Sequence, residues 1–328
     1  MKPNIALVAG GYSGEYVISV QSAVTIENNI DPDRFTVYKI FIDQQGWFHE
    51  TAGGEKVQVD RNDFSITLNG QKITFDGVFI GIHGTPGEDG KLQGYFDMLH
   101  IPYTSCDAIC SALTFNKFYC NKVVADFGLV NIARSRHYFR HSVPTPEAIL
   151  AELHLPVFVK PNEGGSSIGM SRVNTAAELP AALEKAFKED RQIIIEEFIN
   201  GREFTVGVYP HDGRITALPI TEVKAGKEFF DFEAKYTPGV SQEITPAQID
   251  AATTSLIQNT ARSIYERLNC KGVIRIDFIL REDGKLFMLE VNTMPGQSEN
   301  SIVPQQVRAA GMTLKTFYGM LIDACLNK

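Results

Sequence analysis

The chain has 328 residues, of which 44% are hydrophobic and 21% charged, a composition typical of globular proteins with two or three domains. Its formal net charge of −8 argues against a nucleic acid as partner, because a protein that binds the phosphate backbone needs a basic surface. The apolar runs are much shorter than the roughly 20 residues that span a bilayer, which argues against a membrane protein.

The cysteine pattern favours a reducing compartment, and the histidine pattern argues against a zinc site. The five cysteines form no Cys-x-x-Cys pair, and the seven histidines show no His-Glu-x-x-His spacing. The first apolar run, in residues 4–9, is too short for a signal peptide. We therefore expect a cytoplasmic protein with free thiols and without a zinc site.

The N-terminal residues have the pattern of a dinucleotide-binding fold. A strand over residues 4–9 leads into the glycine-rich turn GGYSGE at 10–15, and a helix follows over 18–28. Glycines let the backbone approach a ligand closely, and the N–H groups at the start of a helix can bind an anion. Taken alone, this signal is weak.

A second loop in this region carries more chemistry. A buried strand of the parallel type, over residues 77–82, runs into HGTPGEDGKLQG at 83–94, which contains His83 and Glu88. Ligands of parallel α/β sheets bind at the carboxyl ends of the strands. We expect a site here, with an ordinary surface loop as the alternative, and we expect the domain to end near residue 104.

The middle of the chain has the features of a phosphate site. A strand over residues 157–160 ends in Lys160 and precedes the loop PNEGGSSIG at 161–169, which contains Ser166 and Ser167. An ammonium group beside a flexible backbone suits a phosphate, although the loop lacks the Walker A pattern and a plain hairpin loop is the alternative. Lys117 lies inside a helix predicted over 111–127, where a lysine is usually solvated.

A strand over residues 192–198 comes next. Glu196, Phe198 and Glu203 are candidates for binding a nucleoside, with apolar groups on the base and carboxylates on the ribose. The aromatic and charged segment 223–241, which contains Pro-Gly, is predicted to be a mobile lid. Further strands are predicted over 36–42, 101–104, 137–142 and 204–209, and further helices over 95–100, 176–190, 249–268 and 314–326.

Two alternating segments near the C-terminus, 273–280 and 286–292, predict a β-hairpin with a two-residue Asp-Gly turn at 283–284. In that register Asp277 faces Glu290, and Arg275 faces Asn292, all on one side of the ribbon. Facing carboxylates repel unless a cation neutralises them, and their oxygens, with an amide oxygen, are ligands of Mg²⁺. The alternative is an ordinary solvated face.

Two of these segments, HGTPGEDGKLQG and GVIRIDFIL with LEVNTMPG, give the chain a resemblance to the D-alanine–D-alanine ligases of the ATP-grasp superfamily, over essentially its whole length. The resemblance implies an α/β fold with a three-domain ATP-grasp architecture and an N-terminal Rossmann-like (pre-ATP-grasp) domain. The implied parts are an N-terminal substrate domain (1–104), a central ATP-grasp subdomain (105–191), and a C-terminal ATP-grasp subdomain (192–328) with an omega lid at about 223–241.

The resemblance also implies an activity. ATP would phosphorylate the carboxylate of one D-alanine, and the amine of a second would attack the D-alanyl phosphate. The products would be D-alanyl-D-alanine, ADP and phosphate, and the dipeptide would serve peptidoglycan precursor synthesis. ATP is then a co-substrate, two Mg²⁺ ions or Mn²⁺ are the metal cofactors, and the protein is expected to be a homodimer.

Site residues follow from the same motif positions. The metal ligands would be Asp277, Glu290 and Asn292. The ATP-binding residues would be Lys117, Lys160, Ser167, Glu196, Phe198, Ile199, Glu203, Phe230, Lys235 and Asn292. The catalytic group would comprise Arg275, Ser166, Tyr236, Glu15 and Gly296. The substrate-binding residues would be His83, Glu88, Ser301 and Ile302.

Two positions depart from the family pattern. In the family, the acid at the position of Val17 usually meets the ammonium of the first D-alanine. Val17 cannot do so, so either Glu15 or another acid such as Glu88 would have to replace it. In the glycine loop, Glu163-Gly164 replaces the more usual basic-acidic pair.

Three other functions are alternatives. In the family that the chain resembles, a tyrosine at the position of Tyr236 is the pattern of dipeptide-forming members. This argues against a D-alanine–D-lactate (depsipeptide) ligase. Another ATP-grasp carboxylate–amine ligase stays an alternative. A regulatory nucleotide-binding protein without turnover would not need Arg275 beside the metal ligands.

Overall fold

Parallel strands form the centre of the N-terminal sheet, in a computed structural model that describes residues 2–225 and 241–327. β1 pairs in parallel with β2 on one side and β7 on the other, and β3 and β4 extend the sheet beyond β2. β5 and β6 form a small separate hairpin. The strands are β1 (Asn4–Gly10), β2 (Thr36–Asp43), β3 (Gly46–Glu50), β4 (Lys56–Gln58), β5 (Ile66–Leu68), β6 (Gln71–Ile73) and β7 (Gly77–Ile80).

Both faces of β1 are covered, which is why this strand is an almost continuous apolar run. Ile5 and Leu7 pack towards helix α1 (Tyr16–Asn29), whereas Ala6 and Val8 belong to the core that includes residues of α2 (Lys91–Met98). The predicted parallel strand at 77–82 is confirmed with a slightly earlier end, and α2 begins before the predicted residue 95.

An antiparallel sheet with the order β11-β10-β12-β9 forms the middle of the chain. Val157 and Val159 of β10 face a core formed with α5 and α6, while Phe158 and Lys160 face a large cavity, as the two-residue period of a strand requires. The elements are β9 (Ser135–Phe139), α5 (Pro146–Glu152), β10 (Val157–Pro161), β11 (Ser171–Val173), a 3₁₀ turn (Ala176–Glu178), α6 (Leu179–Glu189) and β12 (Gln192–Glu197).

The third sheet has the order β16-β15-β13-β17-β18-β8, with β14 paired to β13. Helices α3, α4 and α7 cover one of its faces, and α8 and α9 pack against the N-terminal sheet. The elements are α3 (Ala108–Phe115), α4 (Lys117–Asp126), β8 (Asn131–Ile132), β13 (Arg202–His211), β14 (Arg214–Ala217), β15 (Thr221–Ala225), β16 (Ser241–Ile244), α7 (Ala251–Arg267), β17 (Ile274–Leu280), β18 (Leu286–Asn292), α8 (Ile302–Ala309) and α9 (Leu314–Leu326).

The predicted helix 111–127 is two helices, so that prediction was wrong. Asn116 separates them, and its side-chain oxygen accepts a hydrogen bond from the N–H of Tyr119 at 3.1 Å. This cap starts a new helix at Lys117, which places the lysine in the first turn instead of on a solvated helix face. Short polar caps of this kind are easily overlooked inside an apolar periodic run.

The predicted two-residue hairpin turn was also wrong. Arg281 and Lys285 close a longer turn, and Leu280 pairs with Leu286. A β-bulge then adds one residue, Leu289, to β18 before the strands reach Asp277. The bulge compensates for the turn, so Asp277 faces Glu290 and Arg275 faces Asn292 as predicted.

Other predictions need smaller corrections. The strand expected at 101–104 is a single bridge between Val78 and Tyr103. Helices α5 and α8 were not predicted. The ends of the proposed lid, 223–225 and 241, belong to the paired strands β15 and β16, and the rest of that segment lies outside the described residues. Among the helices that the structure describes, none combines the length and apolar character needed to span a bilayer.

The close packing of Gly272 against Thr104 can be tested by substitution. Gly272 has φ +64°, and a Cβ there would lie 1.8 Å from the carbonyl oxygen of Thr104. Gly311 has φ +77° with open space around it, so Gly311→Ala should cost only the roughly 1–2 kcal/mol of a left-handed backbone. We expect Gly272→Ala to lower the thermal unfolding midpoint much further, because the backbone must move. Equal midpoints in calorimetry would contradict this packing.

Candidate active site

One cavity of about 1180 Å³ is lined by residues of the second and third sheets and by residues of α1 and of the loops that follow β1 and β7 in the N-terminal region. Every predicted site residue that the structure describes lies on its wall. They are Glu15, His83, Glu88, Lys117, Lys160, Ser166, Ser167, Glu196, Phe198, Ile199, Glu203, Arg275, Asp277, Glu290, Asn292, Gly296, Ser301 and Ile302. Phe230, Lys235 and Tyr236 lie outside the described residues. Residues far apart in the sequence therefore converge on one space.

Asp277 accepts hydrogen bonds from three neighbouring side chains. Its two oxygens accept hydrogen bonds from Nε and Nη2 of Arg275, both at 2.8 Å, and Asn292 Nδ2 donates to it at 3.2 Å. Thr205, opposite Asp277 on β13, donates a further short hydrogen bond. Burial lowers the pKa of Arg275, but the charges of Asp277, Glu290 and Glu88 outweigh it and leave that pKa raised. The guanidinium is therefore charged at any working pH.

Two lysines lie near the acids of the hairpin and of β12. Lys117 Nζ is 4.0 Å from Glu290 Oε2 and donates to the carbonyl of Gly164 at 2.5 Å. Lys160 Nζ lies 2.5 Å from Glu196 Oε2. Burial lowers the pKa of Lys160, but Glu196 and Glu290 outweigh that effect and raise it above its ordinary value. Both lysines thus present positive charge at the cavity wall.

The glycine-rich loop is locked against the N-terminal part of the chain. Ser166 Oγ donates to Glu15 Oε1 at 2.7 Å. A Cβ at position 165 would come within 2.7 Å of that same oxygen, so this approach requires glycine. Ser166 and Ser167 both have left-handed backbones, with φ of 54° and 57°. Positive φ in two consecutive non-glycine residues is unusual and marks a loop whose shape is imposed by its surroundings.

Val17 is not part of the cavity wall. Its side chain is 63% exposed, and position 17 is absent from the described residues that line the cavity. Glu15, only 8% exposed, enters the cavity instead. Residues two apart at the start of a helix point about 200° apart, so the side chains at positions 15 and 17 leave the helix in different directions. Glu15 and Glu88, the two acids that could replace one at position 17, both line the cavity.

His83 and Glu88 also line the cavity. His83 bridges two segments, with Nδ1 2.8 Å from the carbonyl of Met294 and Nε2 3.0 Å from Ser22 Oγ. Burial lowers the pKa of His83, which favours a neutral imidazole. Glu88 accepts from the N–H of Gly84 at 2.7 Å, and burial, followed by the charge of Glu15, raises its pKa to about 8.

The loop after the hairpin closes the remaining side. Ser298 Oγ and Ser301 Oγ are 2.7 Å apart, and Ser301 precedes the first residue of α8. A Cβ on Gly296 would lie 2.9 Å from Ser301 Oγ, so a side chain there would displace the hydroxyl. Helix α8 thus directs its partially positive N-terminus towards the cavity, where a carboxylate could bind.

Comparisons with known proteins identify the family. Models described as the N-terminus and the C-terminus of D-ala D-ala ligase match residues 4–106 and 124–323. The chain belongs to the D-alanine–D-alanine ligase family. A D-alanine–D-alanine ligase from Parabacteroides distasonis is 49% identical over 98% of this chain and 97% of its own length. One from Porphyromonas gingivalis is 45% identical over 100% and 99%.

Solved structures agree with this assignment. The VanG D-Ala:D-Ser ligase from Enterococcus faecalis has a TM-score of 0.87, with 33% identity and 99% of both chains covered. The D-alanyl-alanine synthetase A from Vibrio cholerae has a TM-score of 0.88, with 27% identity and coverage of 100% and 99%. The predicted α/β ATP-grasp fold class of this ligase is confirmed.

Sequence reasoning missed two residues that hold the site acids of the ligase. Thr205 binds Asp277, and Asn121 Nδ2 donates to Glu196 Oε1 at 2.9 Å. Asn121 lies one helical turn after Lys117, a spacing that places both on one helix face and could have revealed it. Thr205 had no such signal, because its pairing with β17 is a tertiary contact.

Glu88 generates a prediction for pH dependence. Its pKa is raised in the folded ligase from 4.5 to about 8, so the folded state binds this proton more tightly than the unfolded state. This stabilisation is complete below pH of about 4.5 and is lost as the pH rises through about 8. Glu88→Gln should therefore flatten the fall in unfolding midpoint between pH 4.5 and a pH of about 8, the two pKa values that bound this effect. Glu184→Gln, on an exposed face, is the control and should leave the slope unchanged.

Proposed function

We propose that this ligase joins two D-alanine molecules at the expense of ATP. The carboxylate of the first is phosphorylated to a D-alanyl phosphate, and the amine of the second displaces phosphate to give D-alanyl-D-alanine, a peptidoglycan precursor. Relatives of this name at 44–49% identity over nearly the whole chain support the proposal. The observation that carries it is one cavity that unites Arg275, Lys117 and Lys160 with the three predicted metal ligands.

The donor set of the hairpin fits a hard divalent cation. Asp277 and Glu290 face each other, and Asn292 adds an amide oxygen on the same side. Oxygen ligands of this kind suit Mg²⁺, which usually joins a few carboxylates to substrate phosphates. We propose two Mg²⁺ ions, with Mn²⁺ as a substitute. When bound, such ions neutralise phosphate charge.

The nucleotide lies, in this proposal, between the central sheet and the third sheet. Lys117 and Lys160 supply positive charge for the phosphates, and Ser167 supplies a donor from the glycine-rich loop. Phe198 and Ile199 offer apolar surface for the base, while Glu196 and Glu203 offer carboxylates for hydroxyl and amino groups. Arg172 stacks over the ring of Phe198 at 4.6 Å and so holds that ring in place.

Glu15 is the group we assign to the ammonium of the first D-alanine. It is a buried carboxylate whose one oxygen is oriented by Ser166. Glu88 and the neutral His83 complete this end of the cavity. Because Arg275 stays charged, it can stabilise negative charge that develops on the carboxyl and phosphoryl oxygens during transfer. Closure of the cavity against water would protect the acyl phosphate from hydrolysis.

The second D-alanine is placed beside Gly296, Ser301 and Ile302. Ser301 and the start of α8 offer hydrogen-bond donors for its carboxylate. Because Gly296 has no side chain, the hydroxyl of Ser301 can stay where it would contact this carboxylate.

Other features of the ligase are proposals of the same kind. We propose a cytoplasmic homodimer and the division into residues 1–104, 105–191 and 192–328. The N-terminal sheet lies within the first part, whereas β12 of the central sheet begins at Gln192 in the third part, and α3, α4 and β8 of the second part pack or pair with the third sheet. Tyr236 and Lys235 are assigned to the lid, and Phe230 to the nucleotide.

The choice of acceptor is tested by competition. In an ADP-release assay with ATP, Mg²⁺ and a panel of D-amino acids, only D-alanine should support turnover when each is supplied by itself. In mixtures of D-alanine with D-serine or D-lactate, mass spectrometry should find mainly D-alanyl-D-alanine. Mainly depsipeptide at neutral pH would refute the assignment, as would ADP release that does not depend on any D-amino acid.

Asp277→Asn is the first variant to make. The amide keeps the shape of the side chain but removes one metal-ligand charge and the partner of Arg275, so turnover should fall by about 10³-fold or more. Asp283→Asn on the exposed hairpin turn is the matched control and should keep normal turnover. Near-normal ADP release by a folded Asp277→Asn protein would remove the metal assignment.

Glu15→Gln tests the first amino-acid site. Losing the charged contact to the ammonium should raise KM for the first D-alanine by about 10- to 100-fold, as expected for a charged hydrogen bond worth roughly 1.5–3 kcal/mol. Glu27→Gln, further along α1, should leave KM unchanged. If KM is unaffected in Glu15→Gln, another residue binds the ammonium.

A further inference from the structure

Three buried thiols converge at the junction between the N-terminal sheet and the third sheet. Cys106 precedes α3, Cys110 lies in its first turn, and Cys270 follows α7. Their exposures are 0%, 3% and 7%. The three Sγ atoms all lie within 4.8 Å of one another, and those of Cys110 and Cys270 are 3.6 Å apart. None of the three is among the described residues that line the cavity, so the ligase reaction does not use them.

These distances match the size of a thiolate metal site. Zinc binds thiolates at about 2.3 Å in a tetrahedral arrangement, which places neighbouring sulfurs roughly 3.8 Å apart. The separation of Cys110 and Cys270 is already close to that value. A small adjustment of side-chain torsions would bring Cys106 to the same spacing. The sequence pattern did not indicate this cluster, because Cys270 lies far along the chain from Cys106 and Cys110.

The backbone around the cluster is held in place by contacts that do not involve a metal. The carbonyl of Thr104 packs directly against Cα of Gly272. Tyr265 OH donates to the carbonyl of Gly272 at 2.9 Å, and Lys271 Nζ pairs with Asp107 at 3.1 Å. The two segments that carry the cysteines are therefore prearranged, which reduces the entropic cost of binding an ion.

The surroundings also favour a thiolate. The N–H of Lys271 donates to Cys106 Sγ at 3.3 Å, and the N-terminus of α3 lies between Cys106 and Cys110. Sulfur that accepts backbone N–H donors is well suited to bind a cation.

We propose that Cys106, Cys110 and Cys270 bind one soft, thiophilic metal ion such as Zn²⁺. Binding forms three metal–sulfur bonds and releases the thiol protons to solvent, without any change of oxidation state. A disulfide between Cys110 and Cys270 would use two thiols and leave the third without a role. The bound ion would tie the start of α3 to the segment that leads into β17, the strand that carries Arg275 and Asp277.

The test uses the full-length ligase and Cd²⁺, a thiophilic probe with a sulfur-to-metal absorption band. The protein is produced in medium supplemented with Cd²⁺, passed through a desalting column, and analysed for metal content and ultraviolet absorption. We expect about one Cd²⁺ per chain, with a band intensity that corresponds to three thiolates. Wild-type protein with a metal content near zero, or with a Cys110–Cys270 disulfide under reducing conditions, would overturn the proposal.

Variants assign the ligands. Cys110→Ala and Cys270→Ala should each lose most of the bound Cd²⁺ and the band, whereas Cys325→Ala, equally buried but outside the cluster, should keep both. Loading should also raise the unfolding midpoint of the wild type and not that of Cys110→Ala. Equal metal content in Cys110→Ala and Cys325→Ala would overturn the assignment. If the alanine variants fail to fold, the wild-type stoichiometry and band intensity still decide the question.

Discussion

The juxtaposition of Asp277 and Glu290 across the β17–β18 hairpin is the constraint on which the site depends. Two carboxylates at the wall of a cavity are costly unless positive charge lies beside them. Arg275 supplies that charge to Asp277 through two hydrogen bonds, and Lys117 lies 4.0 Å from Glu290. The arrangement of charged side chains that stabilises the folded chain is therefore also the one that can bind a cation and phosphates.

The surrounding fold brings partners to this hairpin from its own sheet, from the central sheet and from the N-terminal region. β13 places Thr205 opposite Asp277, and β10 and β12 present Lys160 and Glu196. The N-terminal region contributes Glu15, which Ser166 joins to the glycine-rich loop. Helix α9 packs against β7 and α1 and so connects the end of the chain to its beginning. Substrate groups could therefore be enclosed by parts of the chain that are far apart in sequence.

The proposed thiolate site extends the same principle. Gly272 and Cys270 immediately precede β17, and both contact the segment that leaves the N-terminal sheet. The position of β17 relative to that sheet thus depends on close backbone packing at Thr104 and on the three sulfurs. A metal at this point would be structural, remote from the chemistry and coupled to it only through the start of a strand.

Much of the hairpin could be read from the sequence, because alternation along a strand assigns each residue to a face. The register at Asp277 was right although the turn was wrong, since a bulge at Leu289 compensates for the longer turn. The break at Asn116 and the direction of Val17 were not readable, because a cap and the rotation of a helix depend on atoms that a periodic pattern does not specify.

The sequence by itself determined the fold class, the family, and the chemical types of the site residues, since motifs and local periodicity depend on neighbouring residues. Only the tertiary structure decided which groups touch: Ser166 with Glu15, Thr205 with Asp277, and the sulfurs of Cys110 and Cys270. Those contacts join residues from different segments, and the packing of whole sheets and helices sets them.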